Sequence, residues 1–127
     1  MKKKKRGFSL SELVVTLVMV ALLAIIGLPI YRGYVKKGIS TEGKALLGEI
    51  NAAQQIYYTR HGQYYAGSVG QTFGGAFGVD ARRNKYFTSY NLSTNAQTFT
   101  ASTSSKDGTQ SLTLVGSFTT DPKLIER

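Results

Sequence analysis

The stretch Gly7-Phe8-Ser9-Leu10-Ser11-Glu12-Leu13, continued by Val14-Val-Thr-Leu-Val-Met-Val-Ala-Leu-Leu-Ala-Ile-Ile-Gly-Leu28 and closed by Pro29, decides how this chain is organised. From Phe8 to Leu28 a helix would be roughly 31 Å long at about 1.5 Å per residue, the thickness of a bilayer's hydrocarbon core. The apolar residues run all the way round rather than along one stripe, which indicates a membrane span or a buried core helix. In a chain of 127 residues little protein is left to surround such a helix, so a span is the stronger reading. Glu12 is the anomaly. A carboxylate near the centre of a span costs on the order of 2.5 kcal/mol or more, and the span holds no cation to offset it.

Working outward, the leader Lys2-Lys-Lys-Lys-Arg6 holds five of the 16 Lys+Arg residues. The rest of the chain has 11 cations against 7 acids, so the formal charge of +9 falls to +4 without the leader. That excess does not describe a nucleic-acid-binding domain. With no Cys, a disulfide scaffold, a thiolate metal site and a Cys nucleophile are excluded. Leu28-Pro29-Ile30-Tyr31 offers no small-residue cleavage site of the secretory kind after the apolar run. If the bond after Gly7 is cut instead, Phe8 gains an α-ammonium four residues from Glu12. A neighbouring subunit shifted along the axis would then present its own terminus to that carboxylate. The pair would neutralise both charges in an apolar core and fix the axial stagger.

The register of Gly7, Phe8, Glu12, the apolar run and Pro29, with Tyr31 and Tyr34 beyond, resembles the class III prepilin signal of bacterial type IVa pilins. The resemblance implies cleavage between Gly7 and Phe8 by a prepilin peptidase, N-methylation of Phe8, and assembly through Phe8 and Glu12. The implied partners are copies of the chain itself in a homopolymer filament, the peptidase, the pilus assembly platform and the inner membrane; no specific nucleic acid is predicted. The implied course is from the bacterial inner (cytoplasmic) membrane before assembly to an extracellular filament after it, supporting adhesion, motility or DNA uptake. Ser11 departs from the pattern, where the family usually has an apolar residue.

Pro29 has no N–H and removes the helical bond to the Ile25 carbonyl, so the helix is expected to kink or loosen around Pro29 and Gly27. Beyond it, Ile39, Leu46, Ile50, Ala53 and Tyr57 share one helical face, widened by Leu47 and Ile56, and predict an amphipathic half running to about Arg60. Gly33, Gly38, Gly43 and Gly48 each cost about 1 kcal/mol relative to Ala, so packing rather than propensity must hold this half. Gly62 should close the helix, with His61 in the last turn. Residues 63–83 read as a loop pinned by Tyr64, Tyr65, Phe73 and Phe77.

The tail alternates with period two and predicts strands over about 86–92, 97–103 and 110–117, with Lys106-Asp107-Gly108 as a hairpin turn. About half the residues from Thr88 to Thr120 are Ser or Thr, which suits a solvated sheet face. The expected fold is therefore α+β: a long N-terminal helix, membrane-spanning in its first half, packed on a C-terminal antiparallel sheet of about three strands. The same arrangement is the pilin fold. The expected divisions are a leader at 1–7, the helix at 8–60 with its span at 8–28, and a head at 61–127.

No nucleophile–base–acid set exists, so no enzyme activity and no catalytic residue are expected. The seven scattered acids have no metal-ligand spacing, the glycines of 62–78 form no phosphate loop, and neither a metal nor a cofactor is expected. Arg82, Arg83 and Lys85 form a short basic cluster that reads as a solvated loop. Asn91-Leu92-Ser93 matches a glycosylation triplet, a pattern common by chance. The alternative to a pilus subunit is a pseudopilin of a type II secretion or competence system. Major pseudopilins usually carry a Tyr-Pro segment after the helix, where this chain has Gly62-Gln63-Tyr64-Tyr65-Ala66 and no Pro. A membrane-anchored enzyme or receptor acting alone has no site residues to rest on.

Overall fold

The computed structural model describes residues 7–69 and 78–127, which fall into two units, one ending at Lys36 and one covering Lys37–Arg127. A single helix, α1 (Leu10–His61), contributes to both. Its start is written in the sequence. Ser9 precedes it, the Ser9 N–H donates to Glu12 Oε2 at 2.9 Å, and Leu13 N–H donates to Ser9 C=O at 3.2 Å. That is half of a capping box, in which an acid on the first turn satisfies a backbone donor the helix itself cannot. The other end closes as expected. Gly62 takes φ 70°, open to glycine at no steric cost, and its N–H bonds the Tyr58 carbonyl at 2.8 Å. His61 Nδ1 lies 3.1 Å from the Tyr57 carbonyl, and its ring stacks on Tyr57 at 4.1 Å.

In the first unit the helix is exposed on every side, from Phe8 at 87 % through Leu23 and Ile25 at 71 %. It is long and apolar enough to cross a membrane. It continues without interruption through Gly27 and Pro29.

In the second unit α1 packs on a five-stranded sheet, β1 (Gly67–Val69), β2 (Tyr90–Thr94), β3 (Phe99–Ser104), β4 (Ser111–Gly116) and β5 (Lys123–Glu126). Spatial order follows chain order, and every pair is antiparallel. Two strands exceed the three expected. β1 is three residues inside the stretch read as a loop, which also holds a 3₁₀ turn at Ala81–Arg83. β5 follows Pro122 and shows no burial alternation, so it carries no period-two signal. The three expected strands are present at 90–94, 99–104 and 111–116. Residues 86–89 lie outside the sheet, because Glu42 takes the backbone donors of Tyr86 and Phe87.

The buried face of α1 is Gly43, Leu46, Leu47, Ile50 and Gln54. It meets inward rows Tyr90–Thr103–Leu112 and Leu92–Ala101–Leu114, with Phe87 and Phe99 fully enclosed. Ile39 and Ala53 pack at the margin as expected. Ile56, expected to widen the stripe, is 55 % exposed, because the face is centred on Leu47, Ile50 and Gln54, almost half a turn away. Gly43 is where the helix comes closest to the core: a Cβ there would meet the Phe87 ring at 2.9 Å and Leu112 Cδ1 at 3.1 Å. Gly116 ends β4 for a similar reason, since a Cβ would lie 2.5 Å from Phe99 Cζ.

The expected turn at 106–108 closes the β3–β4 hairpin. Gly108 takes φ 69°, and Asp107 Oδ1 accepts from Ser105 Oγ at 2.5 Å and Thr109 Oγ1 at 2.9 Å. Tyr64 does pin its loop, packing on Tyr58 at 4.7 Å and Phe99 at 5.2 Å between ring centroids. Tyr65 sits edge-on to Tyr57 at 5.4 Å. Phe73 and Phe77 lie outside the described residues.

Candidate assembly segment and basic loop

The first site is the start of α1. Phe8, Ser11, Glu12, Val15, Thr16 and Met19 line one shallow concavity, so the expected assembly residues Phe8 and Glu12 are neighbours. Glu12 has a partner within its own chain that the sequence reading missed, the Ser9 N–H. The signal was present as Ser9-Leu-Ser-Glu12, a serine followed three residues later by an acid ahead of an apolar run. The Ser9 hydroxyl bonds that of Ser11 at 2.9 Å, and Thr16 Oγ1 bonds the Glu12 carbonyl. These short polar contacts satisfy hydroxyl groups that would otherwise enter an apolar medium unpaired. They give Ser11, the residue that departs from the family pattern, a bonding partner.

The second site is the segment from Asp80 to Phe87 in the head. Asp80 caps the 3₁₀ turn by accepting from the Arg82 N–H at 3.0 Å, and it also takes Arg82 Nε at 3.1 Å. The Arg82 guanidinium and backbone hold the Asp80 carboxyl below its ordinary value. Arg83 and Lys85 are exposed, and Lys85 Nζ stands 5.2 Å from the centroid of the Tyr86 ring. Glu42 Oε1 anchors this segment, accepting from Tyr86 N–H at 2.7 Å and Phe87 N–H at 3.0 Å. Partial burial pushes the Glu42 carboxyl up, but the backbone N–H groups of Tyr86, Phe87 and Lys85, with the Lys85 charge, outweigh it and hold it low. Gln54 performs a parallel task at Tyr65, its amide bonding both the N–H and the C=O at 2.9 and 3.0 Å. Both roles depend on residues distant in sequence, so neither was legible beforehand. Among the described residues no group of three His, Cys, Asp or Glu side chains comes together.

A single helix, apolar in its first half and packed on an antiparallel sheet in its second, with a leader and Glu12 at its start, defines a type IV pilin. Comparison with known families places it further. The model described as "Type IV minor pilin ComP, DNA uptake sequence receptor" matches residues 29–117, and the "Prokaryotic N-terminal methylation motif" matches residues 2–28. The chain belongs to the type IV minor pilin ComP family. It is also similar to fimbrial protein EcpC of Eikenella corrodens, 33 % identical over 66 residues, covering 52 % of this chain and 43 % of that protein. The match thus spans less than half the length of that relative. No solved structure matches.

Proposed function

We propose that this pilin is processed between Gly7 and Phe8, methylated on the Phe8 nitrogen, and held in the bacterial inner membrane until an assembly platform transfers it to a filament. Copies of the chain pack through the apolar half of α1, with Glu12 of one subunit meeting the Phe8 ammonium of another. The Ser9 N–H holds the carboxylate until that ammonium replaces it. The stretch around Gly27 and Pro29 is where the helix yields on packing, because the Ile25 carbonyl already has no N–H to accept there. The role is structural, and no catalytic residue is assigned.

A finer reading follows from the family description: the head takes part in DNA uptake by contacting duplex DNA through Arg82, Arg83 and Lys85. The observation that carries it is the match of that family over residues 29–117. It departs from the expectation of no nucleic-acid partner, which rested on overall charge. Local charge matters more than the total when phosphates are the ligand. Titrating the full chain in detergent with duplex DNA at several salt concentrations tests it. Replacing Arg82, Arg83 and Lys85 by Gln should weaken binding and reduce the salt slope by roughly 0.9 per lost phosphate contact. An unchanged affinity and slope would remove these residues from any DNA contact.

A further inference from the structure

One end of the head gathers cations. Glu42 Oε1 accepts the Tyr86 N–H at 2.7 Å, and the Tyr86 C=O accepts the Lys106 N–H at 2.8 Å, so the start of the head's helix, the 85–87 segment and the β3–β4 turn meet. Lys44 Nζ reaches Glu126 Oε1 at 2.6 Å, and Arg127 N–H bonds the Ser111 carbonyl at 2.9 Å, bringing the end of β5 to the same place. Lys37, where the chain enters this unit, lies five residues before Glu42. Lys37, Lys85 and Lys106 are all exposed.

The acids at this end are already engaged. Glu42 holds two backbone N–H groups, Glu126 holds Lys44, and Asp107 holds Ser105 and Thr109. Among the described residues no ion pair takes Lys37, Lys85 or Lys106; Lys85 has the Tyr86 ring and the field of Glu42. The sequence continues the pattern. Between Glu12 and Glu42 there is no acid, while Arg32, Lys36 and Lys37 all lie there. Lys37 follows Leu28 by nine residues, about 14 Å of helix rise. Beyond the hydrocarbon core that reaches past the headgroup layer by about one Debye length at physiological salt.

We propose that this end of the head is an electrostatic footing, by which Lys37, Lys85 and Lys106 rest on the anionic lipid headgroups of the bilayer that holds the span. The footing orients the head before assembly and is given up when the subunit leaves the membrane. It rests on the reading of residues 8–28 as a span and is independent of any DNA contact.

The chain has no Cys, so Ser104→Cys, exposed at the same end of the sheet, accepts a single fluorescent label. The full chain is reconstituted in phosphatidylcholine vesicles with or without phosphatidylglycerol, each carrying a headgroup-attached quencher. Quenching should be several-fold stronger in the anionic vesicles at low salt and should fall as salt rises. Each lysine changed to Gln at positions 37, 85 and 106 should weaken head association about five-fold at low salt. Equal quenching in both lipids, or a triple Gln variant that behaves as the parent, would overturn the proposal. So would a label that responds to duplex DNA but not to phosphatidylglycerol, since these cations would then serve nucleic acid alone.

Discussion

Glu12 Oε2 accepts the backbone N–H of Ser9 at 2.9 Å, so the one carboxylate of the span is bound by its own chain at the first turn of α1. A bound carboxylate is less costly in an apolar medium than a free one, and the positive end of the helix dipole favours it further. The same contact leaves the carboxylate next to the residue that becomes the terminus on processing. The arrangement separates two roles of Glu12, helix capping and charge pairing.

Glu12→Ala should enter the membrane normally and yield few or no fibres. Glu12→Gln keeps an oxygen to accept the Ser9 N–H but has no charge to offer an ammonium. It should fail in assembly as Ala does, as read by fractionation and fibre yield. A Gln variant that assembles normally would make capping, not pairing, the role of this residue.

Gly43 and Gly48 lie on the same helix and should respond oppositely to Ala. At Gly48 an added Cβ meets nothing within 4 Å, so helix propensity alone acts, a gain of up to about 1 kcal/mol. At Gly43 the methyl must displace the fully buried Phe87 ring, and overpacking typically costs about 1–3 kcal/mol, which outweighs the propensity gain. Thermal unfolding of the two variants should show the midpoint rising for Gly48→Ala and falling for Gly43→Ala.

Acid should loosen the 85–87 segment. The Glu42 carboxyl ionises below its ordinary value of 4.5 in the folded head, so the unfolded chain binds the proton more readily. Its contribution is therefore complete above about pH 4.5 and is lost as pH falls through the lowered value. Asp80 and Asp107, also held low, act in the same direction. Glu42→Gln should flatten, but not abolish, the fall in unfolding midpoint between neutral and acid pH. An unchanged slope would deny Glu42 a part in it.

How far the sequence discloses this structure depends on the range of each interaction. The span, the helix ends and the 106–108 turn rest on neighbours a few residues apart, and all are readable in advance. Strands β2 to β4 are readable because one side of each is buried and the alternation survives. β5 hides because all four of its residues are exposed, and β1 because three residues carry no period. Glu42 and Gln54 look like ordinary polar helix residues until the fold brings Tyr86, Phe87 and Tyr65 to them. Basic character at the foot of the head is equally invisible along the chain, since Lys37, Lys85 and Lys106 are scattered in sequence.

Pro29→Ala restores the N–H that can bond the Ile25 carbonyl and stiffens the stretch from about Ala24 to Pro29. Fibre yield should fall or the axial stagger change, with processing after Gly7 unaffected. A filament map of the variant identical to that of the parent, with an unbroken helix through residues 24–29 in both, would contradict the role given to this proline.

The central claim is that the chain is a processed filament subunit, and mass analysis of the N-terminal peptide from purified fibres tests it most directly. The account predicts a peptide beginning at Phe8 and heavier by one methyl group. A fibre or membrane protein that begins at Met1, or after Leu28, would contradict it.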